Sequence, residues 1–141
     1  MATNNRANII HYRGGYRYQL TRPYTYASAI IGRELQHEYV SLSADGQLAI
    51  RRGYCWDGAS GPALDTKTIM RASLVHDALY QLARHHQLPA SFRAAADDEL
   101  YHICRADGMN RIRAKYVLLA VRLFGATSAD PKNKRKEQSA P

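Results

Sequence analysis

The chain has 141 residues, 45% of them hydrophobic, which suits one domain built round a single core and is short for two. Its formal net charge of +8 favours anionic partners, among them nucleic acid, acidic protein and an anionic lipid surface. The two cysteines, Cys55 and Cys104, exclude a disulfide framework, and no stretch approaches the roughly 20 apolar residues that span a bilayer.

Met1 to Ile10 lacks the apolar centre of a secretory signal, so a soluble protein of the cytoplasm is expected. Tyr16, Tyr18 and Leu20 alternate with Arg17 and Gln19, the period of a half-buried strand, with Gly14 and Gly15 as a turn before it. Tyrosines at 12, 16, 18, 24 and 26 interleave with arginines. Aromatic strand residues more often pack a sheet than stack on bases, so nucleic acid is not expected as a specific ligand. Ala27 to Arg33 reads equally as a strand or a turn of helix. Tyr39 to Leu42 and Leu48 to Arg52 flank Asp45-Gly46, a strong hairpin signal.

The hairpin leads into Gly53 to Tyr80, where turn formers, acids and a histidine converge. Gly58, Gly61 and Pro62 break any regular element, so WDGASGP is read as an ordered loop with backbone groups free to make contacts. Thr66 or Thr68 then caps a helix to about His86, with Ile69, Ala72, Val75, Leu79 and Leu82 on its apolar stripe. His76 lies beside that stripe and Asp77 is rotated about 100° from it. Leu88-Pro89-Ala90 breaks the chain. Ser91 is placed as cap of a second helix, Phe92 to about Ala106, whose buried face is Phe92, Ala96, Leu100, Ile103 and Cys104. Asp97 sits at the edge of this face, and Asp98 points to solvent. Asn110 caps a third helix, Arg111 to Phe124, whose stripe of Ile112, Tyr116, Leu119, Ala120, Leu123 and Phe124 is expected to pack inward as scaffold. From residue 128 the chain is polar and carries KNKRK, so the domain is placed at 1–127 and a disordered basic tail at 128–141. Both cysteines are read as small buried hydrophobes.

A histidine with two carboxylates serves either as a general base oriented by an acid or, with the acids, as a metal site. Adjacent residues on a helix diverge, so His76 as base and Asp77 as separate ligand is the better division. The plainer alternative is a histidine that bonds a neighbouring acid to lock two helices together, with Asp57 a turn residue bonded to the loop backbone. An HD-type phosphohydrolase needs a histidine on an earlier helix, whereas His11 and His37 fall in segments read as non-helical. No Walker loop, nucleotide fingerprint or nucleophile elbow is present, and no organic cofactor is expected.

The run GYCWDGASGP, a helix with HDALY and an inward acid one helix later resemble the calcium-dependent secreted phospholipase A2 pattern over Gly53 to Cys104. That resemblance implies His76 as general base, Asp97 as the acid orienting its ring and Tyr80 as support. It also implies Ca2+ held by Asp77 with carbonyl oxygens of Trp56, Gly58 and Ser60; Asp57, if not a turn residue, is an additional candidate ligand. The chain departs from the pattern at Leu79, where that family has cysteine, and in its lack of disulfides. Over most of its length it is similar to a family of small phage and prophage proteins, domain of unknown function 1353. The similarity is carried by Gly53 to Pro62, by His76-Asp77-Ala78-Leu79-Tyr80, by Arg93 to Asp97 and by Ala120 to Gly125.

The expected architecture is α+β: a small antiparallel sheet and hairpins in the first half, an ordered Gly/Pro loop, and three helices. The first two helices form an antiparallel, phospholipase A2-like pair. The expected function is a phage or prophage metal-dependent hydrolase of an ester or phosphodiester. Its rival is a non-enzymatic virion or host-interaction protein, partnered by phage structural proteins or an anionic lipid surface, in the host cytoplasm or the virion.

Overall fold

A computed structural model describes residues 9–14, 18–58 and 66–129, with side chains as far as 123. Strands and hairpins fill the first half and three helices the second, an α+β arrangement. One four-stranded antiparallel sheet contains β3 (Tyr24–Ala27), β4 (Leu35–His37), β5 (Val40–Leu42) and β6 (Gln47–Ile50) in the order β3-β6-β5-β4. A second, three-stranded sheet joins β1 (Tyr12–Arg13), β2 (Tyr18–Leu20) and β7 (Cys55–Trp56) in the order β1-β2-β7. The sequence pattern points to one sheet. The second arises because Tyr18 and Gln19 pair with Trp56 and Cys55, so the start of the Gly/Pro loop is itself a strand.

The Asp45-Gly46 hairpin forms as expected, with Val40 opposite Ile50 and Leu42 opposite Leu48. Gly46 has φ +95°, and a Cβ there would stand 2.4 Å from the backbone oxygen of Ser28, so only glycine fits. Tyr16 and Arg17, the start of the first predicted strand, lie outside the described residues, and its described part is β2. Of Ala27 to Arg33, only Ala27 belongs to a strand, and the rest is irregular.

The helices are α1 (Met70–His86), α2 (Ala90–Ala106) and α3 (Arg111–Ala129). Neither threonine caps α1. A turn at 67–69 intervenes, Ile69 takes the cap position without a side-chain bond, and the Thr66 and Thr68 hydroxyls meet each other at 3.1 Å. Ser91 likewise falls inside the first turn of α2. Pro89, extended at φ −68°, stands at the cap, and its carbonyl accepts the Phe92 N–H at 3.0 Å. Asn110 does cap α3, accepting the Arg113 N–H at 2.8 Å. That helix continues through Gly125 to Ala129 rather than stopping at Phe124.

Twelve of the 17 residues of α1 are buried, because the helix packs against α2, α3 and β4 at once. Its predicted stripe is therefore only part of its buried surface. On α2 the predicted inward face is buried as expected, Cys104 included. Cys55, expected inside, is exposed, since alternation along β7 turns its neighbour Trp56 into the core. The largest departure is α3, which buries Ala114, Val117, Ala120 and Val121 and leaves Ile112, Tyr116, Leu119 and Leu123 facing outward. Small side chains let α3 approach its neighbours closely, which the larger stripe would prevent.

Candidate functional site

α1 and α2 are joined by the short Gln87–Pro89 connection and lie antiparallel, which sets residues of the middle of α1 against the first half of α2. His76 Nε2 meets Asp97 Oδ1 at 2.7 Å across this interface, and Tyr80 donates its hydroxyl to the same oxygen at 2.6 Å. All three side chains are buried. Tyr80 lies one turn beyond His76, so its ring also packs on the imidazole, with centroids 4.1 Å apart. Burial first, and then the bond to Asp97, push the Tyr80 hydroxyl well above its usual range, so Tyr80 stays a neutral donor.

When Asp97 is ionised its carboxylate can only accept, so Nε2 is the donor to it, and in a neutral imidazole the lone pair is then on Nδ1. Nδ1 stands 4.0 Å from Asp77 Oδ1. Both residues line a cavity of about 20 Å³ together with Gly58, Ser73, Ile69, Leu100, Val117 and Val121. That volume holds about one water. The start of the loop is pinned to α1 beside it: buried Trp56 donates its indole N–H to Ser73 Oγ at 3.0 Å, and Ser73 Oγ donates to the Met70 carbonyl at 2.8 Å.

The sequence-predicted site residues separate into groups. His76, Asp97 and Tyr80 share one oxygen, and Gly58 and Asp77 share the cavity next to them. Trp56 reaches the same region through Ser73, Asp57 is exposed, and Ser60 lies outside the described residues. Calcium takes six to eight oxygens. The described groups around the cavity offer one carboxylate, Asp77, beside the Gly58 backbone, and no group of three His, Cys, Asp or Glu side chains placed to hold a metal ion occurs among the described residues. A calcium ion here would need further oxygens beyond these, which water also supplies; residues 59–65 lie outside the described residues.

Two polar constellations that hold this frame carry no motif. Glu99, two residues after Asp97 and so on the opposite side of α2, accepts Ser28 Oγ and the Ala29 N–H at 2.6 Å each and the Tyr26 hydroxyl at 2.7 Å. It ties the end of β3 to α2. Arg71 of α1 binds Asp107 at 2.8 Å and Tyr24 of β3 at 3.1 Å. Burial opposes the Arg71 charge, but Asp107 and Tyr24 outweigh it and hold the guanidinium protonated more firmly than usual. The only sequence signal for either is a charged residue within a run of inward-facing positions.

The chain belongs to the family described as protein of unknown function (DUF1353), whose model matches residues 33–121. The match contains every residue of the candidate site. No curated protein and no solved structure matches the chain.

Proposed function

We propose that this member of the family is a hydrolase of an ester or phosphodiester, with His76 as general base. The observation that carries the reading is Asp97 Oδ1, which meets His76 Nε2 at 2.7 Å and Tyr80 at 2.6 Å, while Nδ1 stands 4.0 Å from Asp77, the residue with which His76 lines the small cavity. A water held there gives a proton to Nδ1 as its oxygen adds to the carbonyl carbon or phosphorus. The bond to the leaving oxygen then breaks, and the imidazolium returns the proton to that alkoxide. Asp97 stabilises the transient imidazolium, and Tyr80 keeps the carboxylate oxygen in register. Ca2+ bound by Asp77 with oxygens of Trp56, Gly58, Ser60 and Asp57 would polarise the bond under attack. The resemblance of the motifs to phage and prophage proteins supports reading the activity as that of a phage, in the host cytoplasm or within the virion.

A second reading, a virion or host-interaction component without chemistry, is favoured by His76 being only 6% exposed. In that reading the same bonds lock α1 to α2 and nothing more. His76→Asn and Asp77→Asn distinguish the two. Under the hydrolase reading His76→Asn keeps the fold and loses about 100- to 10,000-fold in hydrolysis on lipid or nucleotide ester panels. Calcium then raises the melting temperature of the parent and not of Asp77→Asn. A parent that hydrolyses nothing on these panels and ignores calcium belongs to the second reading.

A further inference from the structure

α3 is apolar on two sides and buries the side with smaller residues. The other side presents Ile112, Tyr116, Leu119 and Leu123, which are 84, 51, 58 and 66% exposed. At about 100° per residue these four stay within roughly 60° of one another, and at 1.5 Å per residue they form a ridge about 16 Å long. They are four of the eight large hydrophobic side chains exposed among the described residues, so the apolar surface is concentrated on this helix.

The charges that α3 itself carries are of one sign. Arg111–Ala129 contains Arg111, Arg113, Lys115 and Arg122 and no acid. Exposed Arg111, Lys115 and Arg122 lie roughly 70–110° to one side of the ridge midline, where long side chains lie along apolar surface with their charges at its margin. Arg122 also reaches Asp98 of α2 at 2.8 Å, an exposed pair that salt and competing anions weaken readily.

We infer that the outer face of α3 docks on an anionic lipid surface, its aliphatic ridge entering the acyl boundary and its cations meeting the headgroups. Charge selects this occupant. A second copy of the chain would bring two margins together on which cations outnumber acids, which repel. Single-stranded nucleic acid needs aromatic planes among central cations, whereas this ridge is aliphatic except for Tyr116 and holds its cations at the edge. An apolar stripe with a basic flank is the arrangement of helices that lie in a membrane interface. No helix among the described residues is long and apolar enough to cross a membrane, so the contact is at the surface. The inner face of the same helix supplies Val117 and Val121 to the His76 cavity. Docking therefore brings that cavity to about one helix diameter, some 10 Å, from the lipid. The inference stands on exposure and charge and does not depend on hydrolysis.

Co-sedimentation of the full chain with vesicles tests it. Binding is expected to vesicles of phosphatidylglycerol mixed with phosphatidylcholine, to be much weaker to phosphatidylcholine alone, and to fall as salt rises. Lys115→Glu should weaken it at least about fivefold, the effect of one cation near an anionic surface. Leu119→Gln with Leu123→Gln should weaken it at least about tenfold through lost apolar burial, with an unchanged circular dichroism spectrum. Leu119→Trp provides an independent reading, since the fluorescence of the introduced indole should shift to the blue and be quenched by brominated lipid. No binding by the parent, binding indifferent to lipid charge, or an indole signal from Leu119→Trp that vesicles leave unchanged overturns the inference. So does concentration-dependent dimerisation lost in the leucine variants, which would assign the ridge to a second copy, or salt-sensitive binding to nucleic acid with none to vesicles.

Discussion

His76 and Tyr80 reach the same atom, Asp97 Oδ1, from successive turns of α1, at 2.7 and 2.6 Å. One buried oxygen thus receives two donors, and the three side chains act as a unit that joins α1 to α2. The same unit fixes which imidazole nitrogen faces the cavity.

Sharing an acceptor predicts coupling. Tyr80→Phe removes a bond to a carboxylate and should cost about 2 kcal/mol in urea unfolding. The double variant with His76→Asn should depart from the sum of the single effects by about 0.5 to 3 kcal/mol. Additive costs would mean that the two side chains bond Asp97 independently.

Glu99 should matter more to stability than the adjacent acid. Glu99→Gln replaces a carboxylate that accepts three bonds by one neutral oxygen and an N–H, so the Tyr26 hydroxyl must reverse to accept and all three bonds lose their charge assistance, at a cost of about 2 kcal/mol. Asp98→Asn removes only an exposed pair with Arg122 and should change stability by about 0.5 kcal/mol or less. Equal midpoints for the two variants in urea would contradict the clamp.

Alkaline pH should unfold the protein through its tyrosines. Burial first of all raises the hydroxyls of Tyr24, Tyr26, Tyr54 and Tyr80 above the ordinary value of 10.0. Below pH 10 both folded and unfolded chains hold these protons and their contribution is complete. Above it the unfolded chain ionises first, so stability falls as pH rises, by roughly 1.4 kcal/mol per pH unit for each such tyrosine. Tyrosinate absorbance from these four should appear only together with loss of the helical signal. A single smooth titration with the fold intact would refute this.

The cysteines should differ sharply in reactivity. Cys55 is exposed, whereas burial pushes the Cys104 thiol up to about 12. A disulfide reagent at neutral pH should take one thiol equivalent quickly and the second only on unfolding. Two fast equivalents would mean that the α2–α3 region opens.

Local chemistry determined much of this fold from the sequence alone. The Asp45-Gly46 hairpin, the three helices, the Asn110 cap and the inward face of α2 each follow from residues a few positions apart, and each is present. So is the approach of Asp97 to His76, because two adjacent amphipathic helices joined by a short connection leave few ways to pair their apolar edges. Where several local solutions compete, only the tertiary structure decided. The threonines before α1 and Ser91 are good caps in isolation, but a turn and Pro89 occupied those positions. β7 became a strand because β2 lay beside it. Glu99 and Arg71 found partners on β3, 73 and 47 residues away in sequence, and no spacing rule reaches so far. The choice on α3 was of the same kind. Both of its faces are apolar enough to be buried, and periodicity does not rank them. The gap beside α2 admits Ala114, Val117, Ala120 and Val121, so Ile112, Tyr116, Leu119 and Leu123 were left on the surface.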